Sequence, residues 1–87
     1  MKAQALVARN IRRLRVGRGL SQEALAVDAD IDRTYVSRLE RGLENPTVAI
    51  LEKLAFALGS DISEFFKEPL RGEAAPRPLK AGRRPGK

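Results

Sequence analysis

Residues 21–42 read SQEALAVDADIDRTYVSRLERG, and this stretch constrains the fold more than any other part of the chain. Leu25, Ala26 and Ala29 mark one apolar helical face, Ile31, Val36 and Leu39 mark a second, and only residues 30–32 are available for the turn between them. Two short amphipathic helices joined so tightly must pack on each other, and the small side chain of Ala26 lets their backbones approach. The outward positions of the second helix carry Arg33, Thr34, Ser37 and Arg38, which are hydrogen-bonding residues suited to base edges and phosphates. Periodicity alone leaves a plainer alternative open, an ordinary helical hairpin with a solvated polar face.

The charge pattern favours an anionic partner. The 87 residues hold 17 Lys+Arg against 11 Asp+Glu, at a sequence pI near 10.5. Nine Lys+Arg and five acids fall in residues 1–42, two and five in residues 43–70, and six and one in residues 71–87. Basic charge therefore concentrates on the helix pair and on the C-terminal end, while residues 43–70 are released for another task. The chain has no Cys and no His, so thiolate and imidazole nucleophiles, the usual zinc sites and any metal site built on them are not expected, and no cofactor is implied. No apolar run approaches the roughly 20 residues that span a bilayer, and MKAQALVARN lacks a signal-peptide core. A soluble, cytoplasmic protein without a membrane partner is the expectation.

Local punctuation divides the chain into five helices and no credible strand, an all-α fold. Leu6, Val7, Ile11 and Leu14 define a first helix over about residues 3–18, closed by Gly19. Ser21 caps the second helix; Asp32 caps the third, which runs to Arg41 and stops at Gly42. Pro46 and Thr47 introduce a fourth, with Val48, Leu51, Leu54, Ala55 and Leu58 as its apolar stripe and Gly59 as its stop. Asp61 followed by Glu64 has the form of a capping box for a short fifth helix bearing Ile62, Phe65 and Phe66. Beyond Glu68 lie four of the five prolines and almost nothing apolar, so residues 1–68 are expected to form the domain and residues 69–87 a disordered basic tail.

Gln22, Leu25, Ala26, Ile31, Val36, Ser37, Leu39, Glu40 and Gly42, followed by Asn45-Pro46-Thr47 and Leu54-Ala55, resemble the phage repressor and Cro-like (XRE) helix-turn-helix family over about residues 6–66. DRTYVSRLERG followed by NPT is most similar to the controller proteins of restriction-modification systems and to small transcription regulators. The resemblance implies a compact five-helix, lambda-repressor-like DNA-binding domain that acts as a dimer. Asp30 departs from the pattern, since the family usually places Gly in this turn; Asp tolerates a positive φ better than most residues, so strain rather than a different fold is expected. The tail is a second departure, outside the resemblance.

Residue roles follow from helix geometry and the resemblance together. Arg33, Thr34, Ser37 and Arg38 face outward on the part of the third helix that enters the major groove in this motif, and Arg38 or Arg33 can take a guanine bidentately. Tyr35 is open between packing and contact: its ring can cover the apolar face while its hydroxyl reaches DNA, and in controller-like relatives this position lies at the DNA. Gln22 resembles the family's DNA-proximal glutamine at the positive end of the second helix, and its plainer reading is a first-turn polar residue. The resemblance implies phosphate contacts for Arg41 and Asn45, which flank a loop laid along the backbone. Arg15 follows Ile11 by four and Glu40 follows Val36 by four, so each charge sits at the edge of a buried face and the two should pair, as the family resemblance also implies.

An ordered part of about 65 residues gives one core limited stability, and one recognition helix reads few base pairs; both favour a homodimer on a palindromic operator. Phe56 lies some 140° around the fourth helix from Leu51. With Ile50 also off the core face and Phe66 nearby, these three are the expected interface, the plainer alternative being that Phe56 is a singly exposed ring. A competing class is an antitoxin-type protein-binding module that uses DNA only for autoregulation; against it, Leu70 and Leu79 are the only larger apolar residues in the tail available as anchors. An enzyme is not expected, because the acids read as caps, an ion pair and solvated positions, and no Gly-rich phosphate loop is present.

Overall fold

A computed structural model describes residues 2–69. Among them are four α-helices, α1 (Ala3–Gly17), α2 (Gln22–Ala29), α3 (Arg33–Glu40) and α4 (Val48–Leu58), then a 3-10 helix at Ile62–Phe66, and no strand. The tail read as disordered lies outside the described residues.

The helix starts are local in origin. Ser21 Oγ accepts from the Ala24 N–H at 3.0 Å, Asp32 Oδ2 from Thr34 at 2.9 Å, and Thr47 Oγ1 from Ile50 at 3.1 Å, each satisfying a donor that the helix leaves without an internal partner. Asp30 ends α2 in the left-handed region at φ 58°. Its backbone N–H still reaches the Val27 carbonyl and the next one, from Ile31, reaches Ala26, which closes the turn into α3. At Gly59, φ is 64°, a left-handed conformation that favours glycine, and a Cβ would come within 2.6 Å of Arg18 Nη1, which would have to move aside. Arg18 crosses there to donate to the Leu58 carbonyl at 2.8 Å, capping the end of α4 from α1.

The core joins every element. Ile11, Leu25, Val36, Leu39, Leu54, Leu58 and Phe65 are completely or almost completely buried in one cluster. Leu14, Ile31 and Tyr35 pack on its margin.

Four expectations are corrected. The fifth helix is 3-10 rather than α: its five residues are bounded by the Asp61 cap and Pro69, and the tighter i→i+3 bonding, as from Glu64 N–H to the Asp61 carbonyl, closes within so short a run. Glu64 does not complete a capping box but turns to Arg13 at 3.2 Å. Val48 is not part of the core stripe; it is 68% exposed, because a side chain on the first residue of a helix leans back past the helix end. Ile50 is partly buried against the core rather than turned away, since at 100° per residue it lies only about 40° from Leu54.

Candidate nucleic-acid interface

The second helix of the pair is held from behind by charge. Arg15 Nε and Nη2 donate to Glu40 Oε2 and Oε1 at 2.6 and 2.9 Å, with the two side chains only 7% and 1% exposed. Arg15 Nη1 also donates to the Leu20 carbonyl at 2.7 Å, and Gln22 Nε2 donates to Glu40 Oε1 at 3.1 Å. Gln22 is thus drawn into the ion pair, which leaves the second hydrogen of its amide for any other partner. This bidentate contact between α1 and the end of α3 sets the orientation of α3 from its buried face.

On the opposite face Arg33, Thr34 and Arg38 are exposed, Ser37 is half-buried, and Arg41 and Asn45 are exposed at the helix end and in the following loop. Arg33 carries no fixed charge partner among the described ion pairs. Arg41 Nε donates back to the Ser37 carbonyl at 3.4 Å. Arg38 instead meets the loop: its Nε donates to Glu44 Oε2 at 2.7 Å and its Nη2 to the Leu43 carbonyl at 3.4 Å. That loop hangs from the start of α1, where Gln4 Nε2 donates to the carbonyls of Gly42 and Glu44 at 2.9 and 2.8 Å. Tyr35 lies partly buried beside the same cluster. Burial, and secondarily the negative charge of Glu44, raise its pKa above the ordinary value of 10.0, so the hydroxyl stays a neutral donor.

Gln4 and Glu44 escaped sequence reasoning because their contacts span a loop with no periodicity. Asn10 also escaped it, although a polar residue between Val7 and Leu14 on the apolar face was a visible signal. It is fully buried, donates from Nδ2 to the carbonyls of Phe65 and Lys67 at 2.9 Å each, and accepts from Arg13 Nε at 3.0 Å. Its amide fastens the 3-10 helix to α1. Arg13, Arg15 and Arg18 therefore serve internal partners, and the basic charge that faces outward is smaller than the count for residues 1–42 suggests.

Outside the helix pair, Phe56 is 88% and Phe66 47% exposed, while Phe65 is buried. Ala49, Glu52 and Lys53 are exposed around Phe56 on α4.

A family profile described as helix-turn-helix matches residues 11–65, which contain both helices of the pair and their supporting helices. The chain belongs to the helix-turn-helix family. It is 48% identical over 56 residues to a hypothetical transcription factor of Neisseria meningitidis, covering 64% of this chain and 53% of that protein, so it spans about half of that relative's length. The crystal structure of the Neisseria factor superposes with a TM-score of 0.75 at 41% identity, over 78% of each chain. The restriction-modification controller protein C.AhdI from Aeromonas hydrophila gives 0.71 at 40% identity, covering 72% of this chain and 96% of that one. The controller C.Esp1396I, solved as a tetramer in complex with its natural 35 base-pair operator, gives 0.70 at 33% identity, covering 76% and 87%. Among the described residues, no helix is long and apolar enough to cross a membrane.

Proposed function

We propose that this chain is a sequence-specific transcription regulator of the cytoplasm that binds double-stranded DNA as a homodimer, with α3 of each copy in a major groove of a palindromic operator. The observation that carries this reading is the solvent face of α3, where Arg33, Thr34 and Arg38 are exposed while Val36, Leu39 and Glu40 hold the helix from behind. Such a helix, rigid on one side and rich in donors on the other, fits the width of the major groove. The operator complex of C.Esp1396I, a relative with the same fold, supports the choice of DNA as partner.

In this reading Arg33, Thr34, Ser37 and Arg38 contact base edges, and Tyr35 donates its hydroxyl. Arg41 and Asn45 take phosphates, and Gln22 offers its remaining amide hydrogen at the start of α2. Phe56 and Phe66, with Ala49, Glu52 and Lys53 around Phe56, form the surface between the two copies. This reading requires a two-fold axis there that places the two α3 faces about 34 Å apart, on successive turns of the duplex.

Selection of bound duplexes from random DNA at fixed salt tests the proposal. The expected product is a palindrome with half-sites about 10 base pairs apart, centre to centre. Alanine variants of Arg33, Thr34, Ser37 and Arg38 should then lose more affinity for the selected site than for scrambled DNA, and equal losses on both would overturn the recognition-helix reading.

A further inference from the structure

Arg38 does not stand alone on the recognition face. Its Nε is held by Glu44 at 2.7 Å and its Nη2 by the Leu43 carbonyl, and the side chains of Arg38 and Glu44 are 44% and 27% exposed, at the rim of the surface rather than inside the core. The loop that carries Glu44 is itself fixed, through two bonds from Gln4 to its carbonyls. We infer that Glu44 is a positioning and specificity-determining residue: it holds Arg38 so that the guanidinium meets DNA end-on, and it cancels the sequence-independent attraction that a free arginine would add.

Two steps lead there, both resting on the assignment of Arg38 to base reading. A guanidinium has five N–H groups in a planar fork, and a guanine accepts two of them, at O6 and N7. The side-on edge, Nε with Nη2, is occupied by Glu44 and Leu43, so the end-on edge, Nη1 with the second hydrogen of Nη2, is what remains. A long flexible side chain immobilised before binding forfeits less entropy on contact, about 0.5–1.5 kcal/mol for one rotamer-rich residue, which is a two- to twelvefold gain in affinity for the correctly placed base. The second step concerns charge. A carboxylate beside the arginine repels every phosphate equally, so it lowers affinity for all DNA while leaving the directional bond to guanine in place.

The two effects have opposite signs, and a purely structural role for Glu44 would not produce them together. Glu44→Ala should lower discrimination between the selected site and the same duplex with the Arg38-contacted guanine replaced, by about two- to twelvefold. It should also raise affinity for scrambled DNA and steepen the salt dependence by up to about one unit. Glu44→Gln, which keeps an acceptor for Arg38 without the charge, should retain most of the discrimination and still raise scrambled-DNA affinity. Gln4→Ala, which frees the loop without touching either charge, should lower discrimination with the salt slope unchanged. The measurement is titration of fluorescent duplexes at several salt concentrations, with thermal melts of each variant as a folding control. If Arg38→Ala removes discrimination at one base pair while Glu44→Ala and Gln4→Ala leave it intact, the positioning role is overturned and the assignment of Arg38 stands. If Arg38→Ala itself leaves discrimination intact, base reading by Arg38 fails and the inference fails with it. A double variant, Arg38→Ala with Glu44→Ala, that discriminates less than Arg38→Ala alone would also count against it, since Glu44 would then act on specificity without Arg38.

Discussion

Truncating either member of the Arg15–Glu40 pair should cost much of the domain's stability. In Glu40→Ala the guanidinium stays buried with only the Leu20 carbonyl as a bonded acceptor; in Arg15→Ala the carboxylate stays buried with only the Gln22 amide as donor. Removing one partner of a buried pair costs about 3–5 kcal/mol, because the other charge is stranded away from water. The 7% and 1% exposures place this pair near the buried limit, so about 3 kcal/mol is a reasonable lower figure. A domain of this size has a total stability on the order of 3–10 kcal/mol, and each kcal/mol shifts the melting temperature by roughly 4–8 °C. Either variant should therefore melt more than about 12 °C below the parent, followed by far-UV circular dichroism. Replacing both at once, Arg15→Met with Glu40→Leu, should recover a large part of the loss, since an apolar pair of similar volume carries no desolvated charge. An Arg15→Ala protein that melts with the parent yet no longer binds DNA would refute the argument and make Arg15 a DNA ligand.

Phe56→Glu should move sedimentation towards the monomer and weaken binding to a two-half-site operator more than to a single half-site; a fully dimeric variant would place the interface elsewhere. Deleting residues 71–87, which hold six Lys+Arg, should lower affinity for all DNA and flatten its salt dependence without changing the preferred site, and an unchanged slope would mean that this segment does not touch the duplex. Tyr35 is the single tyrosine in a chain without tryptophan, so its phenolate absorbance can be followed directly and should titrate above pH 10.0, moving down in Glu44→Gln. Because its folded-state pKa lies above the unfolded one, its contribution to stability is fully present below about pH 10 and disappears as pH rises through the folded value; a midpoint below 10.0 would contradict the burial of the ring, and a midpoint that does not move in Glu44→Gln would contradict the contribution of Glu44.

Features written in neighbouring residues were legible in the sequence. Ser21, Asp32, Thr47 and Gly59 act on bonds within three or four positions, so the helix ends could be read within one or two residues. The left-handed turn at Asp30 was legible through the family resemblance, which places Gly there, and through the tolerance of Asp for a positive φ. Angular position around α4 identified Phe56 as outward-facing and, through the 40° that separates Ile50 from Leu54, is consistent with the partial burial of Ile50; Val48 departs from it because a helical wheel does not say where the helix and its neighbours end. Glu44 was least legible of all. Its partner is six residues away across a loop whose path is decided by Gln4, forty residues back in sequence.

The recognition helix of this chain is short, eight residues, and an isolated helix of that length would not persist in water. Its order comes from outside: Asp32 caps its start, Glu40 anchors its last turn to Arg15 on α1, and the loop after it is tied to Gln4 at the other end of the same helix. Both attachments converge on α1, which offers no recognition residue of its own, so its contribution to binding is to hold α3 in the geometry that a groove demands. The entropy of ordering the reading face is thus spent at folding and not at contact with DNA. A consequence is that folding stability and apparent DNA affinity are linked: when a core or ion-pair change leaves only a fraction of molecules folded, the apparent dissociation constant rises by the inverse of that fraction, on cognate and scrambled DNA alike. Changes at Arg38 or Glu44 alter the ratio between the two DNAs, whereas changes at Arg15 or Glu40 leave that ratio fixed while both affinities fall.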